Sequence, residues 1–250
     1  MDRIRWGILG IGFGILAGMA GAGAAVPEES RQLVVVLAKD WESQKALLWT
    51  FERAPDGEWM AAWDTPVPVL LGKGGLAWGR GLAPAVPGSD RVKVEGDRRT
   101  PAGVFRIGKI YGDPKALPGG NRYPYHQVGP WDAWVDDVKN PHYNRHYVAT
   151  PGKVPPWFES QRMRRGDPAY EYLVEIRHNA DPPVPGFGSA IFFHIRRGED
   201  RPSHGCTVMA KSDLLRVIAW LRADARPVYA VLPKSEYDRL REAWRLPVFR

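Results

Sequence analysis

Between Arg31 and Leu232 the chain repeatedly gathers Val, Leu, Ile and aromatic residues into short runs, and the gaps between the runs are rich in glycine and proline. Runs this short suit strands better than helices, and the punctuating residues supply the turns that join them. "RQLVVVLAKD" (31–40) and "KALLWTFER" (45–53) read as a hairpin across a polar turn. "PVPVLLGKGG" (66–75), "GVFRIGKIYG" (103–112), "YEYLVEI" (170–176), "SAIFFHI" (189–195) and "RPVYAVL" (226–232) continue the pattern. Helical spacing comes only late. "SDLLRVIAWLRAD" (212–224) sets Leu214, Val217, Ile218 and Leu221 on one face behind a Ser212 cap, and "SEYDRLREAW" (235–244) predicts a C-terminal helix within 234–245. The expectation is a mainly β fold with a few helices. The 23 Pro and 27 Gly then count as turns, not disorder, because apolar runs recur between them.

Two regions fall outside that rhythm. Residues 113–169 carry turn signals and aromatics without periodicity, which predicts a long loop or lid. Residues 1–25 open with Arg3 and Arg5, continue as an apolar, glycine-rich run and end in small residues. That pattern predicts a signal peptide cleaved near Val26, with an uncleaved membrane anchor as the alternative. No cysteine follows the run, so no lipoprotein anchor is expected. Residues 26–250 are expected to form one exported domain, a length that β folds fill singly. The formal charge of +7 suits an anionic partner, yet the basic residues are scattered apart from the cluster Arg162, Arg164 and Arg165. Nucleic acid is therefore not an expected partner, and anionic lipid or wall carboxylates fit better.

The only cysteine, Cys206, sits in "RPSHGCTVMA" (201–210), where it opens an apolar run directly after a tight turn. A lone cysteine forms no internal disulfide, and in an oxidising compartment an unpaired thiol is more often functional than structural. Its thiolate is the nucleophile, so it needs a base or cation nearby. His194 and His204 are the candidates, Ser203 can steady the turn or a ring, and the N–H groups of Gly205 and Cys206 can donate to an oxyanion. Other polar residues read as scaffolding. Asp97, Thr100 and Pro101 predict a turn before a strand, and His178 receives no role. His142 and His146 are four apart, but Pro141 and Asn144 argue for loop and no zinc-protease glutamate accompanies them, so no metal or cofactor is expected.

"EGDRRTPAGVFRIG" (95–108), "GSAIFFHI" (188–195) and "SHGC" (203–206), in that order, resemble the signature segments of the L,D-transpeptidase family with the YkuD-type catalytic domain. The resemblance runs over about 31–232, and the branch with segments like "ADPPVPGFGSAIFFH" (180–194) is nearest. It implies a β-sandwich or open barrel of mixed sheets in the cell envelope, acting on peptidoglycan stem peptides in wall biogenesis and cell shape. Cys206 would take the carbonyl between the L-centre of the third-position diamino acid and the terminal D-alanine, with His194 as base and His204 supporting. It also implies that carbapenems acylate the thiol. Asp136, Asp137, Tyr143 and Arg145 match a polar stretch of that branch, and the last three are taken as substrate-binding candidates. The chain departs from the pattern in three places. His194 and Cys206 are only twelve positions apart, Val208 replaces a polar residue, and His178 stands where other polar residues are usual.

Three alternatives stay open. Water in place of an amine acceptor would make an L,D-carboxypeptidase, and loss of turnover would leave a peptidoglycan-binding module. A zinc enzyme built on Cys206, His194 and His204 is the third. The acceptor itself, whether another stem, a wall-tethered lipoprotein lysine or a free D-amino acid, is not written in the sequence.

Overall fold

The computed structural model describes residues 25–83, 89–163 and 166–249, so residues 1–24 of the expected signal, and Arg164 and Arg165 of the basic cluster, lie outside the described residues. The expected N-terminal hairpin forms from β1 (Gln32–Ala38) and β2 (Lys45–Arg53), paired antiparallel from Gln32↔Glu52 to Ala38↔Ala46. β2 goes on to pair with β3 (Trp59–Ala61) and β4 (Val67–Leu70), and β5 (Leu76–Trp78) lies parallel to the start of β6 (Thr100–Gly112). β10 (Tyr172–Ile176), β11 (Phe192–Ile195), β12 (Thr207–Met209) and β13 (Val228–Pro233) complete a ring. Its order is β1-β13-β6-β10-β11-β12-β4-β2, and the β1–β2 ladder closes it. The mainly β expectation holds. The sandwich or open barrel becomes a closed barrel of eight strands, in which β1–β13 and β11–β12 run parallel.

Closure leaves the barrel one interior. Phe105, Phe193 and Tyr229 fill part of it, with Phe193 and Tyr229 in edge contact at 4.8 Å. The Tyr229 hydroxyl is the polar exception, and it is satisfied by Thr207 Oγ1 at 2.7 Å. β1 is buried almost throughout because the barrel covers one face and α3 (Lys234–Leu240) packs on the other, which explains its unbroken apolar run. α2 (Lys211–Trp220) packs against β11. Both helices are shorter than their sequence patterns predict. Ser212 does not cap α2; Ala210 occupies that position without a side-chain hydrogen bond, and the helix stops where Leu221 turns extended at ψ 133°. Leu221 is nevertheless buried, which is why it matched the apolar stripe.

Residues 113–169 are not bare loop. β7 (Tyr125–Gln127) adds to β6 in parallel, β8 (Asp132–Trp134) and β9 (His146–Val148) form their own two-stranded sheet, and α1 (Phe158–Gln161) packs on β8. A small core of Ala133, Ala149 and Phe158 holds this cap together. The segment leaves the ring after Gly112 and rejoins it at Tyr172, and those two residues are register partners. Among the described residues no helix is long and apolar enough to cross a membrane.

Candidate active site

β11 and β12 place the central pair. Their parallel register sets Phe193 against Thr207 and His194 against Val208. One residue earlier Cys206 lies beside Phe192, whose N–H approaches Sγ at 3.4 Å. Thr207 and Phe193 both meet Tyr229 inside the barrel, so strand alternation turns Cys206, Val208 and His194 to the outside. There they line a cleft of about 790 Å³. Neighbouring strands about 4.8 Å apart, with a stagger of two residues, put the Cα atoms of Cys206 and His194 roughly 8 Å apart, within reach for side chains that share a face. The twelve-position interval is short because the connection is pinned rather than free. Ser203 accepts from Lys73 N–H at 2.8 Å and donates its own N–H to Leu71 at 2.9 Å, stitching the turn to the end of β4.

The turn itself is a small hydrogen-bonded knot. The Ser203 hydroxyl donates to the Cys206 carbonyl at 2.5 Å and accepts the Gly205 N–H at 3.0 Å. The Gly205 N–H, expected to serve an oxyanion, is held by Ser203 Oγ in this arrangement. Gly205 has φ +140°, and a Cβ there would stand 3.0 Å from the Arg99 carbonyl, so backbone freedom and close approach both require glycine. Arg99 belongs to the "EGDRRTPAGVF" run, whose turn is organised by Asp97. One Asp97 oxygen accepts from Arg99 N–H at 2.8 Å and Lys93 Nζ at 2.6 Å, and the other accepts from Val94 N–H at 3.0 Å. Thr100 Oγ1 takes the Gly72 N–H at 2.8 Å, and the turn reading of Asp97 and Thr100 describes what these residues do.

His194 is oriented from two sides. Its Nδ1 lies 3.0 Å from the Ile195 carbonyl, which favours the tautomer with the proton on Nδ1 and the lone pair on Nε2, and the Ala169 carbonyl also faces the ring. Tyr170 meets the ring edge-on at 5.1 Å, and Arg197 stacks on Tyr170 while paired with Asp167 at 2.6 Å. Burial dominates both central groups. It holds the His194 imidazole down at about 4, against the opposing pull of the Ile195 carbonyl, and pushes the Cys206 thiol up to about 11, slightly offset by the Phe192 N–H and by Lys93. At neutral pH the resting pair is a thiol and a neutral imidazole. His204 lines the same cleft but is exposed.

The cleft also holds residues that the sequence reading passed over. Lys93, Arg98, Arg197 and Arg201 face it with Glu95, and so does Asp136 of the matched polar stretch; of the four cations Lys93 is paired with Asp97 and Arg197 with Asp167. Lys93 is buried although its neighbours Val92 and Val94 are exposed. That inverted alternation in "VKVE" was the signal available. The residues matched to the polar stretch are dispersed. Tyr143 is buried and donates to Glu95, so it braces a residue of the cleft, while Asp137 accepts from Lys139 N–H at 3.0 Å in an exposed turn. Arg145 lines a different groove beside His146 and Arg177. Neither Asp137 nor Arg145 lines the cleft.

His178 gains a structural explanation. Its Nδ1 accepts from Arg80 N–H at 3.2 Å, its Nε2 donates to the Phe187 carbonyl at 2.9 Å, and burial keeps it neutral, down at about 3. His142 and His146 do not clasp a common ligand. His142 packs on Tyr147, whereas His146 joins His126 on Asp132.

Compared with known proteins, residues 51–229 match the family model described as the L,D-transpeptidase catalytic domain, YkuD. No curated protein and no solved structure gives a match.

Proposed function

The chain belongs to the YkuD family of L,D-transpeptidase catalytic domains, a family of peptidoglycan cross-linking enzymes, and from that premise we propose that Cys206 is the nucleophile of an envelope-facing transpeptidase. The observation that carries the reading is the placement of Cys206 and His194 on one face of adjacent strands in a common cleft. His194 Nε2 takes the thiol proton as sulfur attacks the stem-peptide carbonyl. The C–N bond then breaks, the imidazolium returns the proton to the departing D-alanine amine, and a thioester remains on Cys206. An acceptor amine attacks the thioester, gives its proton to His194 and releases the thiol. Because the resting pair is neutral, the base acts during attack rather than on a preformed thiolate. With the Gly205 N–H engaged, the Cys206 N–H is the remaining oxyanion donor of the two expected from the turn. Arg98 and Arg201 in the lining suit the carboxylates of an extended stem.

The short interval that favoured an inert wall-binding module is accommodated by the parallel pairing. Incubation of the protein with a carbapenem should add one drug mass, located by mass spectrometry on the peptide containing Cys206, and Cys206→Ser should abolish the adduct. A correctly folded wild-type protein that stays unmodified while sedimenting with purified wall would return the binding-module reading. Product analysis on purified stems separates transfer from hydrolysis, since only transfer yields a cross-linked or exchanged peptide.

A further inference from the structure

Outside the cleft, His126, Asp132 and His146 bring their ligand atoms within 4.8 Å of one another. His126 Nε2 lies 2.7 Å and His146 Nε2 2.6 Å from the same carboxylate oxygen, Asp132 Oδ1. The second oxygen is held from behind by the Gly129 N–H at 2.6 Å, which fixes the carboxylate's orientation. Asp132 and His146 lie two residues apart in register on paired strands, since Trp134 faces His146, and His126 is delivered by β7 from the ring side. Tyr111 contacts both imidazoles, at 5.8 and 4.9 Å, and limits their rotation.

We propose that His126, Asp132 and His146 form a zinc-class divalent metal site that fastens the cap to the ring. Two imidazoles and one carboxylate are the borderline donors that Zn²⁺ accepts, whereas Ca²⁺ and Mg²⁺ prefer all-oxygen shells. Metal–ligand bonds of about 2.0–2.1 Å in a tetrahedron separate ligand atoms by roughly 3.3 Å. The two nitrogen–oxygen distances need to open by about 0.6–0.7 Å to reach that value, and all three ligand atoms already lie within 4.8 Å of one another. In the metal-free arrangement the Nε2 protons bridge to Oδ1. On binding, each ring carries its proton on Nδ1 instead and gives the Nε2 lone pair to the metal. A surface groove of about 430 Å³, lined in part by Tyr111, Trp134 and His146, gives the ion a route in and water a place in the fourth position. The Gly129 N–H on Oδ2 is the kind of outer contact that holds a metal-ligating carboxylate.

The site is separate from Cys206, so its test need not involve turnover. The full-length chain, purified in mild detergent and stripped with a chelator, should take up one equivalent of Zn²⁺ by elemental analysis after dialysis. Uptake should rise the unfolding temperature, and Co²⁺ in its place should give the visible spectrum of a tetrahedral site without a thiolate charge-transfer band. His126→Ala and His146→Ala should each weaken Zn²⁺ at least tenfold, and Cys206→Ser should leave it unchanged. No uptake by the wild-type chain at micromolar zinc would overturn the proposal and leave a hydrogen-bonded triad. Loss of zinc in Cys206→Ser, with retention in both histidine variants, would overturn it equally by moving the metal to the thiol.

Discussion

The cleft and the cap each gather reactive side chains, but different forces hold the two gatherings. Cys206 and His194 sit on adjacent strands of a closed barrel, so the backbone ladder between β11 and β12 fixes their offset. His126, Asp132 and His146 come from three short strands steadied by a small core and by rings packed on rings. The first arrangement has its offset set by the ladder, with Tyr170 adding an edge contact to the His194 ring. The second depends on packing that a single truncation can loosen. Chemistry that must be repeated at fixed geometry is placed on the part of the molecule whose geometry is hardest to change.

The largest expected effect tests the ladder-held pair. His194→Ala should slow carbapenem acylation by about 10²–10⁴-fold in single-turnover measurements, the usual cost of a lost general base, with the folded state retained. Next is the thiol. With its pKa near 11, the thiolate fraction should climb about tenfold per pH unit, so iodoacetamide alkylation of Cys206 should accelerate about 10³-fold between roughly pH 7 and 10. A rate that levels off near neutral pH would mean an activated thiolate and a preformed ion pair. The histidines give the opposite end of the scale. His178 and His194 bind protons more weakly folded than unfolded, so their contribution to stability is complete above about 6.5 and is lost as pH falls toward 4 and then 3. Thermal unfolding should accordingly be flat between about pH 7 and 8 and fall on acidification, and His178→Gln should flatten the acid limb.

The cap should yield before the ring. Phe158→Ala removes its largest fully buried side chain, a change that costs about 3–5 kcal/mol in a full core. Limited proteolysis should then cut within 113–169 while the ring stays protected; concerted loss of both would show that cap and ring form one cooperative unit. The smallest effect is expected at His204, exposed at the rim, where His204→Ala should slow acylation less than about tenfold, below the usual cost of losing a base. A dead His204→Ala beside a nearly normal His194→Ala would exchange their assigned roles.

What could be read from the sequence was local. β1 and β2 were legible because a polar turn separates two apolar runs, and Cys206 because it is alone. Closure of the barrel was not, since the β1–β13 and β12–β4 ladders join residues far apart in the chain. The α2 boundaries failed because an apolar residue past the end, Leu221, is buried like those within the helix. Lys93 was missed because an apolar alternation is ordinarily read with the apolar side inward. His126, Asp132 and His146 follow no spacing rule, so only the folded cap could bring them together.

The pairing of Gly112 with Tyr172 has a consequence for how such a protein can change. To the barrel, everything between those two residues is the connection of one antiparallel hairpin, and the entropy of closing a connection grows only logarithmically with its length. The cap can be lengthened or trimmed without renegotiating any of the ring's own ladders, provided that β6 and β10 keep their register and that β7 and the Tyr170–Asp167 support of His194 are spared. The face that overlooks the cleft is thus an adjustable part, and the strands carrying Cys206 and His194 belong to the frame that receives it.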